Sequence, residues 1–333
     1  MEENIMPILF GRRIACKIAA ALIAGAALAT GIGAAGAENA KLRFAYLLAD
    51  SDLPILVAQK NGDFAKAGLD VELTEVQGGP AVVAAIASGS ADVGYASPVP
   101  PINARINGIN VKMVMALGHE VDPDKKFSWL IASQASGIAD LAGLKGKKVA
   151  VNANGSLCVL TLSDHMAKAG LKMEDVELVV LPFPQQEAAL EQGAIDATCT
   201  VNPFYSSIAK NQAIGVKILA QGVLADEREP VLNDVIFATD EFIAKNPDTL
   251  KTFGKVIFDT RQKLLADRGA MEAAATEFLG LTPEAAKDFK LPVVKPELTI
   301  SEAEVQVLLD AMKRAGMLTQ EVPVEDMVSN MAP

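Results

Sequence analysis

The sequence is poor in the residues on which most catalytic and metal sites depend. It has two histidines, three cysteines and one tryptophan among 333 residues, and aromatic residues make up 5% of the chain. No His, Cys or carboxylate pair has the spacing of a zinc site. No predicted strand is followed by a G-x-S-x-G elbow, a Walker loop or a G-x-G-x-x-G turn. We therefore expect no metal, no cofactor and no enzymatic activity.

The chain also has no block of basic residues. It carries 30 Lys and Arg against 41 Asp and Glu, a formal net charge of −11. A protein that binds nucleic acid needs basic residues to neutralise a row of phosphates, so nucleic acid is not expected as a partner. Half of the residues are hydrophobic, which is typical of a globular protein, and at roughly 100–200 residues per domain the length allows two or three domains.

Residues 1–37 have the pattern of a secretory signal peptide. Three basic residues precede an apolar run over 18–32, and Ala35-Gly36-Ala37 supplies an A-x-A cleavage pattern before Glu38. The run is shorter than the roughly 20 apolar residues of a membrane span, although an uncleaved anchor remains the alternative. We predict a periplasmic protein that begins at Glu38.

Two cysteines, Cys158 and Cys199, lie in the exported part of the chain. An exported protein can form disulfides, so one bridge between them is feasible. The alternative is that both are small buried hydrophobic residues, since geometry decides whether two cysteines pair.

One order of elements occurs twice along the chain. Alternating and continuous apolar patterns predict two sets of three strands, each set connected by helices, over 42–49, 69–76 and 91–96 and again over 147–152, 176–181 and 195–201. The segment Ala85–Asp92 is also similar to Ala189–Asp196. We predict an α/β fold of two similar lobes, each with a mainly parallel sheet and flanking helices.

The predicted boundaries follow from this repeat. Residues 38–128 form the first part of lobe 1, residues 129–239 form lobe 2, and residues 240–333 form helices. Within the last segment, Ser301 and Glu304 have the spacing of a capping box at a helix start. The chain is predicted to cross between the lobes near 119–130 and 222–240, which would then act as the hinge.

Ligands of parallel sheets bind beyond the carboxyl ends of the strands, so the loops there supply the candidate site. If the lobes face each other, these loops converge on one interlobe cleft. The candidate ligand-binding residues, including one near the hinge, are Ser51, Asp52, Gln77, Gly79, Ser97, His119, Asn154, Gly155, Ser156, Gln185, Asn202, Phe204 and Tyr205.

Several candidates have an alternative role. Asn154-Gly155-Ser156 lies between a strand and a helix, where backbone N–H groups and a hydroxyl suit an anion, but ordinary helix capping uses the same residues. The carboxylate of Asp52 would repel an anion and would suit an ammonium group instead. His119 could contact a ligand or be structural. For Phe204 and Tyr205 the alternative role is core packing. Core packing is also the favoured role of Trp129. His165 is expected at a helix surface.

An ordered set of short segments runs from about residue 41 to 315. It includes Gly62-Asp63-Phe64, Ala67–Val71, Ala87–Gly89, Leu144–Ala150, Gly193–Ala197 and Asn246-Pro247-Asp248. This set resembles the nitrate/sulfonate/taurine-type substrate-binding proteins of ABC importers. Family members often carry Glu at the position of Asn202 and an aromatic residue in the loop 50–53, where this chain has Asp-Ser-Asp-Leu.

The resemblance implies a type II periplasmic-binding fold, in which the C-terminal helices return to lobe 1. It also implies a small-molecule ligand and a membrane permease as partner. We predict a monomeric substrate-binding protein whose lobes close on an anionic or zwitterionic organic molecule, such as a sulfonate, a taurine-like compound or a carboxylate. The alternatives are an exported pyrimidine-synthesis-related enzyme on the same fold and a ligand sensor for a membrane receptor.

Overall fold

The computed structural model describes residues 38–121, 126–226, 230–318, 320–321 and 323–331. The predicted signal peptide lies outside the described residues. Within the described ranges, no helix is long and apolar enough to cross a membrane.

Within these described ranges, ten strands form two separate five-stranded sheets. They are β1 (Ala40–Tyr46), β2 (Leu69–Glu75), β3 (Val93–Ala96), β4 (Val111–Glu120), β5 (Ser128–Ala132), β6 (Lys148–Val151), β7 (Glu177–Val180), β8 (Ala197–Val201), β9 (Lys217–Gln221) and β10 (Val231–Thr239). The first sheet has the order β2-β1-β3-β10-β4, and the second has the order β7-β6-β8-β5-β9. The predicted α/β architecture of two sheets with flanking helices is confirmed.

Twelve α-helices occur in the described part of the chain. They are α1 (Leu53–Lys60), α2 (Asp63–Lys66), α3 (Gly79–Ala87), α4 (Val99–Ile106), α5 (Leu157–Lys168), α6 (Phe183–Glu191), α7 (Phe204–Ile208), α8 (Asp240–Lys245), α9 (Pro247–Ala266), α10 (Arg268–Leu279), α11 (Pro283–Asp288) and α12 (Glu302–Arg314).

Each sheet is mixed rather than mainly parallel. In the first sheet β1 is parallel to β2 and β3, whereas β10 is antiparallel to β3 and β4. In the second sheet β6 is parallel to β7 and β8, whereas β5 is antiparallel to β8 and β9. The antiparallel strand is β5 in the second sheet and β10 in the first sheet. Each is the first strand that the chain forms after it passes from one sheet to the other.

Strand β10 lies within residues 129–239, the predicted span of lobe 2, but it pairs in the first sheet between β3 and β4. Residues 231–238 are buried, because the strand lies between β3 and β4 and is covered on both faces. A largely apolar run of this kind is typical of a central strand. The second sheet is therefore continuous in sequence over 128–221, and the first sheet is not.

The carboxylate of Glu120 joins the two segments that pass between the sheets. It is 2% exposed. Its Oε1 accepts a hydrogen bond from the backbone N–H of Phe127, and its Oε2 accepts one from the backbone N–H of Val223 at 2.9 Å. Phe127 lies between β4 and β5 and Val223 lies between β9 and β10, so one side chain connects both passages.

The C-terminal helices pack on both parts of the molecule. Phe253 of α9 lies in the core of the first sheet, with its ring 5.3 Å from that of Phe44 and 5.1 Å from that of Phe64. The predicted capping box at the start of α12 is confirmed: the Ser301 backbone N–H donates to Glu304 at 2.9 Å, and the Glu304 N–H donates to the Ser301 hydroxyl. Helix α12 contacts β10 and also α5.

Candidate functional site

A small cavity lies between the two sheets. Its volume is about 30 Å³. Both sheets and the loops after their strands contribute polar residues and a glycine to its lining. The first sheet and its loops supply Gly79, Tyr95, Ser97 and Asp234, and the second sheet and its loops supply Asn152 and Ser156. Apolar side chains, among them Leu47, Phe127 and Phe183, complete the wall. The cavity is therefore an interlobe site with a polar face on each side.

Asp234 supplies the carboxylate of the first wall. It is 1% exposed and lies within β10. Its Oδ1 accepts a hydrogen bond from the Tyr95 hydroxyl at 2.7 Å, and its Oδ2 accepts from the Asn233 amide at 2.8 Å and from the Ser51 hydroxyl. Burial raises the pKa of Asp234 to about 6, although these three hydrogen bonds oppose the shift.

Two further aspartates are buried behind this wall. Burial raises the pKa of Asp50 and of Asp52 well above the usual value, and the Asp234 charge acts in the same direction. Asp52 accepts a hydrogen bond from the backbone N–H of Ala49 at 2.9 Å and lines none of the cavities described here. Its structural role is to cap the turn before α1 rather than to reach the cleft.

The start of α5 forms the second wall. Ser156 is the residue before the helix and is 3% exposed, and its hydroxyl has no hydrogen-bond partner among the described residues. Asn152, at 7% exposed, likewise has an Oδ1 without a described partner. The carbonyl of Gly155, which has a φ of 68°, accepts a hydrogen bond from the Asn103 amide of α4 at 3.4 Å. Here the two lobes touch.

A disulfide fixes the first turn of α5. The structure joins Cys158 of α5 to Cys199 of β8, with 5.5 Å between their Cα atoms. Both residues are buried, and Cys158 lines the cavity. The bridge thus ties the helix start that carries Ser156 to a central strand of the second sheet.

A second cavity of about 210 Å³ adjoins the first at Phe127. It is lined by Asp50, His119, Trp129 and Asn202, among others. His119 is 3% exposed and its Nε2 lies 3.2 Å from the Glu304 carboxylate of α12. The Asn202 side chain accepts a hydrogen bond from the Ser206 hydroxyl at 2.8 Å.

The remaining predicted site residues occupy other positions. Gln77 and Phe204 line a recess of about 10 Å³ that shares Asn152 with the interlobe cavity. Tyr205 stacks on Trp129, with 4.1 Å between the ring centres and 2° between their planes. Two residues are exposed and line none of the cavities described here, Asn154 and Gln185.

The structure also corrects the predicted position of one histidine. The sequence predicts His165 at a helix surface, but it is 5% exposed and its Nε2 lies 3.0 Å from the carbonyl oxygen of Gly222, so it holds α5 against the second passage between the sheets. Within the described ranges, no group of three or more His, Cys, Asp or Glu residues is arranged to hold a metal ion.

Sequence reasoning missed Tyr95 and Asp234. Both lie inside strands, whereas the rule for parallel sheets points to the loops after the strands. One signal was available, because Asn233 and Asp234 interrupt the apolar run of β10, and a polar pair within a buried strand needs hydrogen-bond partners.

Comparison with known proteins finds that the chain is similar to binding proteins and shares their fold. It is 27% identical over 327 residues to a Bacillus subtilis (strain 168) protein named as an aliphatic sulfonates-binding protein, covering 93% of both chains. The alkanesulfonate-binding protein SsuA from Xanthomonas axonopodis pv. citri, solved bound to MOPS, superposes with a TM-score of 0.72 at 21% identity and covers 88% of this chain and 99% of that one. The shared architecture is the periplasmic binding protein fold.

An enzyme is also among the relatives. The 4-amino-5-hydroxymethyl-2-methylpyrimidine phosphate synthase THI13 of Saccharomyces cerevisiae is 29% identical over 225 residues, which is 65% of this chain and 64% of the yeast protein. The family model described as NMT1/THI5 like matches residues 51–267. The chain belongs to the NMT1/THI5-like family.

Proposed function

We propose that this protein is the substrate-binding component of an ABC importer and that it binds a small anionic or zwitterionic organic molecule between its lobes. The observation that carries the proposal is the cavity to which β3 and β10 of the first sheet and the start of α5 after the second sheet all contribute. A ligand in this position touches both lobes. It therefore favours the closed arrangement to the extent that it binds that arrangement more tightly.

The start of α5 is the proposed position of the acidic group of the ligand. The N-terminus of a helix carries unpaired backbone N–H donors and the positive end of the helix dipole, both of which favour an anion. Leu157 and Cys158, the first two residues of this 12-residue helix, line the cavity beside Ser156. The Ser156 hydroxyl would add one more donor.

The proposed setting is the periplasm, and the proposed macromolecular partner is a membrane permease. The signal-peptide pattern of residues 1–37 supports export. In this scheme residues 119–130 and 222–240 act as the hinge, the protein works as a monomer without cofactor, and it does not catalyse a reaction. The matched yeast synthase is the one observation in favour of an enzyme.

The test is a ligand screen on the chain from Glu38 onward, refolded to remove carried-over ligand. Thermal unfolding is measured with sulfonates, carboxylates, nitrate, amino acids and pyrimidines, and each compound is recovered and analysed for turnover. A ligand at 100 times its dissociation constant should add about 2.7 kcal/mol to the free energy of unfolding. Stabilisation without turnover supports a binding protein, turnover supports the enzyme, and no response from any class contradicts the proposal.

Ser156→Ala tests the placement of the site. The substitution removes the unpaired hydroxyl and should weaken binding of the compound found in the screen. Ser163→Ala is the matched control, since Ser163 lies on the same helix and lines none of the cavities described here. Equal affinity of both variants and the wild type would place the ligand elsewhere.

A further inference from the structure

The charge of the interlobe cavity constrains its ligand further than the fold does, provided that the proposed binding function holds. Asp234 is the only charged side chain among the described residues that line this cavity. Asp50 and Asp52 lie behind the same wall, and burial raises the pKa of both carboxyl groups well above the usual value, so they supply no positive charge to balance Asp234. A ligand that is only an anion would therefore face the Asp234 carboxylate in a buried site with no basic side chain among the described residues that line it, where charge repulsion is strong.

The hydrogen bonds of Asp234 leave it one position for a ligand. An ionised carboxylate offers about four acceptor positions. Two positions on Oδ2 are used by Asn233 and Ser51, and one on Oδ1 is used by Tyr95. The remaining position on Oδ1 suits an N–H donor.

The opposite wall supplies an independent observation. The Ser156 hydroxyl and the Asn152 Oδ1 are buried, line the same cavity and have no partner among the described residues. Buried polar atoms are nearly always hydrogen-bonded in folded proteins, so unpaired ones that line a cavity point to a ligand. The amide oxygen of Asn152 is a further acceptor for an N–H group, and the Ser156 hydroxyl can donate to an acid.

We propose that Asp234 determines specificity by binding a protonated nitrogen, so that the cleft selects a small zwitterion whose amino end faces Asp234 and whose acidic end faces Ser156 and the start of α5. The hydrogen bonds from Ser51, Tyr95 and Asn233 hold the carboxylate in place for this contact. Selection acts against hydroxy acids and simple anions of the same length, because these leave the buried carboxylate without a cationic partner.

The experiment compares amino acids with their hydroxy counterparts by isothermal titration calorimetry. The pairs are β-alanine with 3-hydroxypropanoate and 2-aminoethanesulfonate with 2-hydroxyethanesulfonate, together with glycine and 4-aminobutanoate with their hydroxy analogues. Loss of one partner of a buried charge pair typically reduces affinity at least about 30-fold. We expect the best amino ligand to bind the wild type at least about 30-fold more tightly than its hydroxy analogue.

Asp234→Asn should reduce this ratio to near one. Asp92→Asn, the matched control, removes the same charge from the opposite end of β3 and should keep the ratio, because Asp92 pairs with Arg43 at the surface. If Asp234→Asn does not fold, the wild-type ratio decides alone: a ratio near one overturns the inference.

Two other outcomes separate the inference from the proposed function. If none of the amino compounds binds, but a simple anion, a hydroxy acid or a pyrimidine does, the inference is overturned and a binding protein remains. If no compound of either panel binds, both are overturned.

Discussion

Reduction of the Cys158–Cys199 disulfide should destabilise the second lobe substantially. The two residues are 41 positions apart, and the closed loop contains most of α5 together with β7 and α6. The chain-entropy relation for cross-links gives about 4 kcal/mol at 25 °C for a loop of this length. With a urea dependence of about 2–3 kcal/mol/M, this corresponds to a fall of about 1–2 M in the unfolding midpoint.

The assay is urea unfolding of the chain from Glu38 onward, followed by circular dichroism with and without a phosphine reductant. The double variant Cys158→Ala/Cys199→Ala is the control, and its midpoint should not respond to reductant. A thiol assay confirms that reduction is complete. An unchanged wild-type midpoint in the presence of two titrated thiols would refute the reasoning, because it would mean that the bridge does not restrict the unfolded chain.

Three further perturbations test other parts of the molecule. The pKa of Asp234 is about 6 in the folded protein against a usual 3.8, so its contribution to the free energy of unfolding is full below about pH 4, and about 3 kcal/mol of it is lost as the pH rises through 6. Because Asp50 and Asp52 also have raised pKa values and act in the same direction, urea unfolding at pH 4 and 7 should show about 3 kcal/mol more loss in the wild type than in Asp234→Asn, and an equal loss in both would contradict it. Gly79→Ala should cost about 1–3 kcal/mol of unfolding free energy, since its Cβ would lie 2.5 Å from Pro100, whereas Gly269→Ala in α10 should be neutral or stabilising; equal unfolding midpoints would exclude the predicted clash. The sole tryptophan, Trp129, is stacked on Tyr205 and lines the second cavity, so Tyr205→Ala should shift its fluorescence to longer wavelength, and an unshifted spectrum would exclude this stack.

The sequence predicted the elements well because the periodic patterns are strong. The strands that alternate with helices differ from the predicted spans by at most three residues at an end, and the capping box at Ser301 lies where its spacing indicated. Gly79, Ser97 and Ser156 line the cavity because the carboxyl ends of parallel strands meet at one edge of a sheet.

The missed features depend on long-range pairing. Nothing local in β10 indicates that it inserts between β3 and β4, and only this insertion brings Asp234 to Tyr95, which is 139 positions away. Asn154 and Gln185 were chosen because they lie in the right loops, but loop position does not determine the direction of a side chain, and both are exposed.

The insertion of β10 also sets an order of folding. Before β10 is in place, β4 has no strand partner in the first sheet among the described residues, because within them only β10 connects it to β3. The chain must therefore be completed through residue 239 before this sheet can close, whereas the second sheet needs only residues 128–221. Contacts between distant segments form slowly, since the intervening chain must first be ordered. During synthesis or export, we expect the lobe that is second in sequence to reach its native structure first, and its folding to bring the ends of the other lobe together.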